Sequence, residues 1–103
     1  MNQKLKNEMT DHLFEAILEL KTIEECYNFF EDLCTVKEIQ ELSQRFEVAK
    51  LLFEGAKYNE ITQKTGASPA TISRVNRCLN YGADGYRTVL ERIKEKTRVD
   101  EQK

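Results

Sequence analysis

Proline occurs once in this 103-residue chain and glycine four times. A chain so poor in turn formers has little room for the tight reversals of a β-rich fold, which favours helices. Histidine occurs once, at His12, and the three cysteines, Cys26, Cys34 and Cys78, form no C-x-x-C pair. That supplies no ordinary zinc ligand set, and an odd, scattered group of thiols makes no disulfide framework. No metal and no cofactor is expected. Charges interrupt every apolar run, so nothing approaches the roughly 18 apolar residues of a membrane span. The opening MNQKLKNEMTDHLFEA lacks the apolar stretch of a secretory signal. A cytoplasmic protein without a membrane partner is expected.

A basic excess is also missing from the chain as a whole, whose net charge is −2. The charge is nevertheless unevenly placed. Residues 1–34 carry three basic against eight acidic groups, whereas residues 55–80 carry Lys57, Lys64, Arg74 and Arg77 against Glu60 alone. A DNA backbone responds to the local footprint rather than to the overall balance. Composition is that of a soluble globular chain, 40% hydrophobic and 33% charged. A core this small would benefit from being shared with a second copy.

Helical periodicity runs through most of the chain. Met9, Leu13, Phe14, Ile17 and Leu20 share one face, and Cys26, Phe29, Phe30 and Leu33 another. Thr22 with Glu25, and Thr35 with Glu38, have the spacing of capping boxes that open helices. The second opens the longest stretch, with Ile39, Leu42, Phe46, Ala49, Leu52 and Phe53 on its apolar side and Gly55 as its stop. A short helix around Ile61 ends at Gly66, and Ser68-Pro69 starts another whose buried side is Ile72, Val75 and Leu79. Asp84 is placed to cap a last helix carrying Tyr86, Val89, Leu90 and Ile93. The expected organisation is a single domain over 1–96 and a polar tail at 97–103.

The stretch YNEITQKTGASPATISRVNRCLN, residues 58–80, carries the chemistry. A short helix, a glycine turn and a second helix opening with small residues have the form of a helix-turn-helix, whose second helix enters the major groove N-terminus first. Ser68, Pro69, Ala70 and Thr71 are compact enough for close approach, and free N–H groups at that end favour a phosphate. Ser73 and Asn76 lie outward and polar, and Arg74 and Arg77 are suited to phosphates or base edges. Short helix pairs of this kind also occur in interaction modules, so a helical protein-binding domain stands as the alternative. Asn59, Pro69 and Ser73 are not the arginine or lysine that most often reads guanine, which is the argument on that side. No enzyme is expected. The cysteines have no paired base, His12 sits on a surface beside Leu13, and the acidic pairs Glu24-Glu25 and Glu31-Asp32 read as solvated helix faces.

Over Leu33–Ile93 the chain resembles the tryptophan-repressor superfamily, and within it the small YerC/YecD-type group. The match is best in LCTVKEIQELSQRFEVAKLLFEGAKYNEITQKTGASPATISRVNRCLNYG. The corresponding elements are the capped long helix with Arg45, the G-A-S turn, and A-T-I-S-R at 70–74, in register and without a gap. The resemblance implies an all-α, intertwined helical dimer of about six helices per chain. A central helix-turn-helix at about 57–80 would bind double-stranded DNA, and the N-terminal helices would wrap around the partner. It also implies a DNA surface at Asn59, Thr62, Pro69, Ala70 and Ser73, to which the helix-turn-helix reading adds Ser68, Asn76 and Arg77.

By the same resemblance Thr35, Arg45, Thr71 and Arg74 correspond to ligand-pocket positions, with phosphate contacts as the other use of the arginines. Two neighbours depart from the pattern. Val75 stands where the family has a glycine, and Cys78 where a serine holds the ligand's amino group. A β-branched side chain obstructs a slot for a flat indole, and a thiol is a poor partner for an ammonium. The resulting expectation is a homodimeric transcriptional regulator that does not respond to tryptophan, with any other small-molecule corepressor left open.

Overall fold

The computed structural model describes residues 1–102. They form six helices, α1 (Glu8–Ile17), α2 (Ile23–Leu33), α3 (Val36–Phe53), α4 (Tyr58–Thr65), α5 (Pro69–Tyr81) and α6 (Gly85–Glu101), with no strand among the described residues. By packing the chain divides into two units, Met1–Ile39 and the segment from Gln40 onward, the boundary falling inside α3.

In the first unit local chemistry sets the helix starts. Asn7 caps α1 by accepting the Thr10 N–H at 2.9 Å. Thr22 accepts the Glu25 N–H at 3.0 Å, while the Glu25 carboxylate reaches back to the Lys21 N–H at 3.0 Å. Thr35 and Glu38 bond reciprocally, Thr35 N–H to the carboxylate at 2.9 Å and Glu38 N–H to the hydroxyl at 3.1 Å. Both capping boxes expected from sequence therefore form, the first displaced by one residue on its return bond. The backbone N–H of Thr35, with its hydroxyl second, holds the Glu38 carboxyl below its ordinary pKa. The apolar faces of α1 and α2 are amphipathic as expected, yet neither helix buries a residue. Phe29 and Phe30 meet edge to face at 5.6 Å, whereas Leu18, Ile23 and Tyr27 are open to solvent, Tyr27 at 71%.

The second unit holds the core: Val48, Ala49, Leu51, Ile61, Ala67, Ile72, Val75, Leu79 and Leu90, flanked by Phe46, Leu52, Phe53, Ala56 and Tyr86. On α3, Phe46, Ala49, Leu52 and Phe53 of the expected stripe lie in or against the core, which Val48 and Leu51 join. Val48 and Leu51 are buried, while Leu42 is 45% exposed. Gly55 ends the helix region in the left-handed conformation (φ 88°), with Ala56 N–H bonded to the Leu51 carbonyl at 3.0 Å.

Two features differ from expectation at the C-terminal end. Asp84 does occupy the first position before α6, but in the left-handed region (φ 66°) and without a capping bond. A capping side chain acts from an extended backbone, which this conformation denies it. α6 also runs to Glu101, through the segment read as a polar tail. Arg98 pairs with Glu95 at 3.0 Å through Nε, one helical turn back, and the run is rich in helix formers.

Candidate nucleic-acid interface

α4 and α5 form a helix pair joined by three residues, Gly66–Ser68. Gly66 takes φ 72°, and its N–H closes α4 on the Thr62 carbonyl at 2.8 Å. Thr65 staples the turn: its hydroxyl donates to the Ile61 carbonyl at 2.7 Å and accepts the Ala67 N–H at 3.1 Å. Gln44 on α3 donates to the Thr65 carbonyl at 3.1 Å, tying the turn to the helix beneath. Ile61, Ala67, Ile72 and Val75 seal the junction with almost no exposed surface. Burying these four apolar side chains fixes the angle of α5 against α4.

Ser68 caps α5, its hydroxyl accepting the Thr71 N–H at 3.2 Å, and Pro69 occupies the first turn, where its missing N–H costs no hydrogen bond. Asn59, Thr62, Ser68, Pro69, Ala70, Ser73 and Arg77 are all exposed. Asn76 is half-buried, and its side chain is engaged by Asn80. The eight residues singled out for DNA thus lie on α4, on α5 or in the turn between them, seven of them exposed. Arg74 and Arg77 make no ion pair within the described residues.

The ligand-pocket positions each have different local surroundings. Thr35 lies in the first unit with its hydroxyl committed to the cap of α3. Thr71 is half-buried and accepts the Ser68 hydroxyl at 3.1 Å, and Arg74 is exposed. Val75 is 2% exposed and belongs to the core. Cys78 is a free, exposed thiol on an open groove of about 440 Å³ with Phe46, Gly82, Ala83, Gly85, Tyr86 and Val89. Burial pushes the Tyr86 hydroxyl above its ordinary pKa, Arg45 pulls it down, and Cys78 adds to the rise. Arg45, Cys78 and Tyr86 therefore share one neighbourhood, whereas Val75 turns into the core.

The sequence profile of the Trp repressor protein matches residues 8–94. The chain belongs to the Trp repressor family. It is 60% identical over 92 residues to YerC, an uncharacterized protein of Bacillus subtilis, covering 89% of this chain and 88% of YerC. Among solved structures, a TrpR-like protein from Eubacterium eligens superposes with a TM-score of 0.86 at 61% identity, covering 90% of this chain and 96% of that one. A Trp repressor candidate from Staphylococcus aureus gives 0.86 at 54% identity, covering 91% and 95%. The six-helix, all-α architecture is that of these Trp repressor relatives.

Within this Trp repressor fold, sequence reasoning passed over Phe46 and Tyr86 as surroundings of Cys78, and over Asn80 and Arg87 beside the outward face of α5. Asn80 had a signal, the four-residue spacing from Asn76 that makes neighbours on a helix. Arg87 had none, because it reaches α5 from α6 through the fold. No helix of the described residues is long and apolar enough to cross a membrane.

Proposed function

We propose that the protein is a homodimeric, sequence-specific DNA-binding transcriptional regulator that acts through α4 and α5 and does not use tryptophan as corepressor. The observation that carries the reading is the α4–α5 head. A sealed apolar junction holds α5 rigidly, and the small or polar residues Ser68, Pro69, Ala70 and Ser73 stand exposed at its leading end with Arg77 behind them. A helix presented this way fits a major groove, where small side chains permit close approach and the capped end favours phosphate. Membership of a regulatory family supports the same conclusion.

The dimer is inferred from the exposed apolar faces of α1 and α2, which a second copy would cover, making one domain from two interlocked chains. The acidic residues 1–34 would then lie away from the DNA. Two heads in a dimer would meet successive major grooves about 34 Å apart, so the operator is an approximate palindrome. Tryptophan is disfavoured by Val75 and Cys78: a β-branched residue packed into the core replaces a glycine, and a thiol replaces the hydroxyl partner of an amino group.

The test is selection and sequencing of genomic fragments bound by the purified protein at about physiological ionic strength, 0.15 M, without added ligand. Enrichment of a palindromic site supports the proposal. Failure to enrich any site, with and without a metabolite extract, contradicts it and favours a protein-binding head.

A further inference from the structure

Asparagine can present either a donor or an acceptor by turning its amide over, and an isolated side chain has little reason to choose. Asn80 has two. On one side Arg87 of α6 donates through Nη2 to the Asn80 Oδ1 at 3.3 Å and to the Leu79 carbonyl at 3.3 Å. On the other, the Asn80 Nδ2 donates to the backbone carbonyl of Asn76 at 3.0 Å and to the Asn76 Oδ1 at 3.0 Å. A guanidinium only donates and a backbone carbonyl only accepts, so the Asn80 amide is locked with its oxygen toward Arg87. Its N–H then demands an acceptor from Asn76. The Asn76 oxygen accepts that bond, and its Nδ2 makes no hydrogen bond within the described residues. That nitrogen is not fully buried, since no fully buried side-chain nitrogen or oxygen lacks a partner among the described residues. Arg87 is steadied in turn by stacking over the Phe53 ring at 5.9 Å.

We propose that Arg87 and Asn80 act as positioning residues that fix Asn76 as a hydrogen-bond donor toward DNA, an inference that rests on the DNA-binding reading above. Asn76 follows Pro69 and Ser73 along one strip of α5, at spacings of seven and three residues. Its uncommitted N–H₂ fits an acceptor: a phosphate oxygen, or the acceptor edge of a base.

Two measurements test this. In the free protein labelled with ¹⁵N, the Asn76 side-chain amide protons exchange rapidly with water and those of Asn80 slowly. The reverse order overturns the relay whether or not DNA binds. Affinities are then measured for Asn76→Ala, Asn80→Ala and the double variant, on a duplex carrying the selected palindrome and on a random duplex. Asn76→Ala weakens binding about fivefold per half-site, the worth of one ordinary hydrogen bond. Asn80→Ala weakens it by nearly as much, and the double variant binds no worse than Asn76→Ala. Additive losses, or a neutral Asn80→Ala, overturn the proposal, since a merely structural Asn80 would weaken the Asn76→Ala background further. Equal loss on both duplexes identifies phosphate as the acceptor, and loss confined to the palindrome identifies a base edge. Wild-type protein that binds neither duplex overturns the DNA role of Asn76 together with the reading beneath it, while the exchange data still judge the relay itself.

Discussion

Two glycines bound α5, and the fold requires them for different reasons that substitution separates. Gly66 sits at φ 72° with open space where a Cβ would stand, so its constraint is purely conformational. Alanine there pays the left-handed penalty of about 1–2 kcal/mol, whereas asparagine, which visits that region more readily, pays less. Gly82 has a negative φ (−87°), but a Cβ on it would overlap the Cys78 carbonyl oxygen and lie 3.0 Å from the Cys78 carbonyl carbon and Cα. Those are backbone atoms of α5 and cannot swing aside like a side chain. Relieving the overlap means opening the last turn, with an overpacking cost of about 1–3 kcal/mol. The bond from Gly82 N–H to the Cys78 carbonyl, 3.0 Å long, would go with it, a further loss of about 1 kcal/mol. At about 4–8 °C per kcal/mol for a domain of this size, Gly66→Ala lowers Tm by about 4–16 °C. Gly82→Ala lowers it by about 8–30 °C on the same scale. Melting curves followed by circular dichroism at one protein concentration decide the matter. The reasoning is refuted if Gly82→Ala melts within about 4 °C of wild type, or if Gly66→Asn falls as far as Gly66→Ala while Gly82→Asn recovers.

Further outcomes are expected elsewhere. Ser68→Ala removes the cap of α5 and costs about 1 kcal/mol, read as a Tm loss of about 4–8 °C. Glu38 has its pKa lowered in the folded state, so its contribution is complete above the ordinary value of 4.5 and is withdrawn as pH falls through the lowered one. Glu38→Gln should therefore flatten the acid limb of stability against pH, and an unchanged limb counts against the capping role. A dimer makes Tm rise with protein concentration. Tyr27→Lys, on the exposed face of α2, should abolish that rise and halve the mass seen by sedimentation. Arg77→Ala, titrated on specific and random duplexes, assigns that side chain to phosphate if both weaken equally and to base readout if only the specific one does.

Features governed by neighbours in sequence were legible from it. Thr22, Thr35 and Ser68 announce helix starts because their oxygens bond N–H groups three residues on, and Gly66 announces a turn because it alone accepts the left-handed region cheaply. Ile61, Ile72, Val75 and Leu79 were readable as a junction from helical spacing. Asp84 misled, because residue type shows a capacity to cap but not the backbone conformation that allows it. In α3 the expected stripe supplies Ala49, Phe46, Leu52 and Phe53 to the core, whereas Val48 and Leu51 join it from beside that stripe, which spacing alone did not single out. The candidates Asn59, Thr62, Pro69, Ala70 and Ser73 are each exposed on α4 or α5. The bonds around Asn76 depend on Arg87 arriving from another helix, which no local pattern encodes.

The most direct test of the central claim is to locate DNA on the protein. Amide resonances of the ¹⁵N-labelled chain are followed while a duplex carrying the selected palindrome is added. The account predicts that the perturbed residues cluster on α4 and α5, at Asn59, Thr62 and 68–77, with α1 and α2 unaffected. Perturbations centred on α1 and α2, or none at saturating duplex, would contradict it.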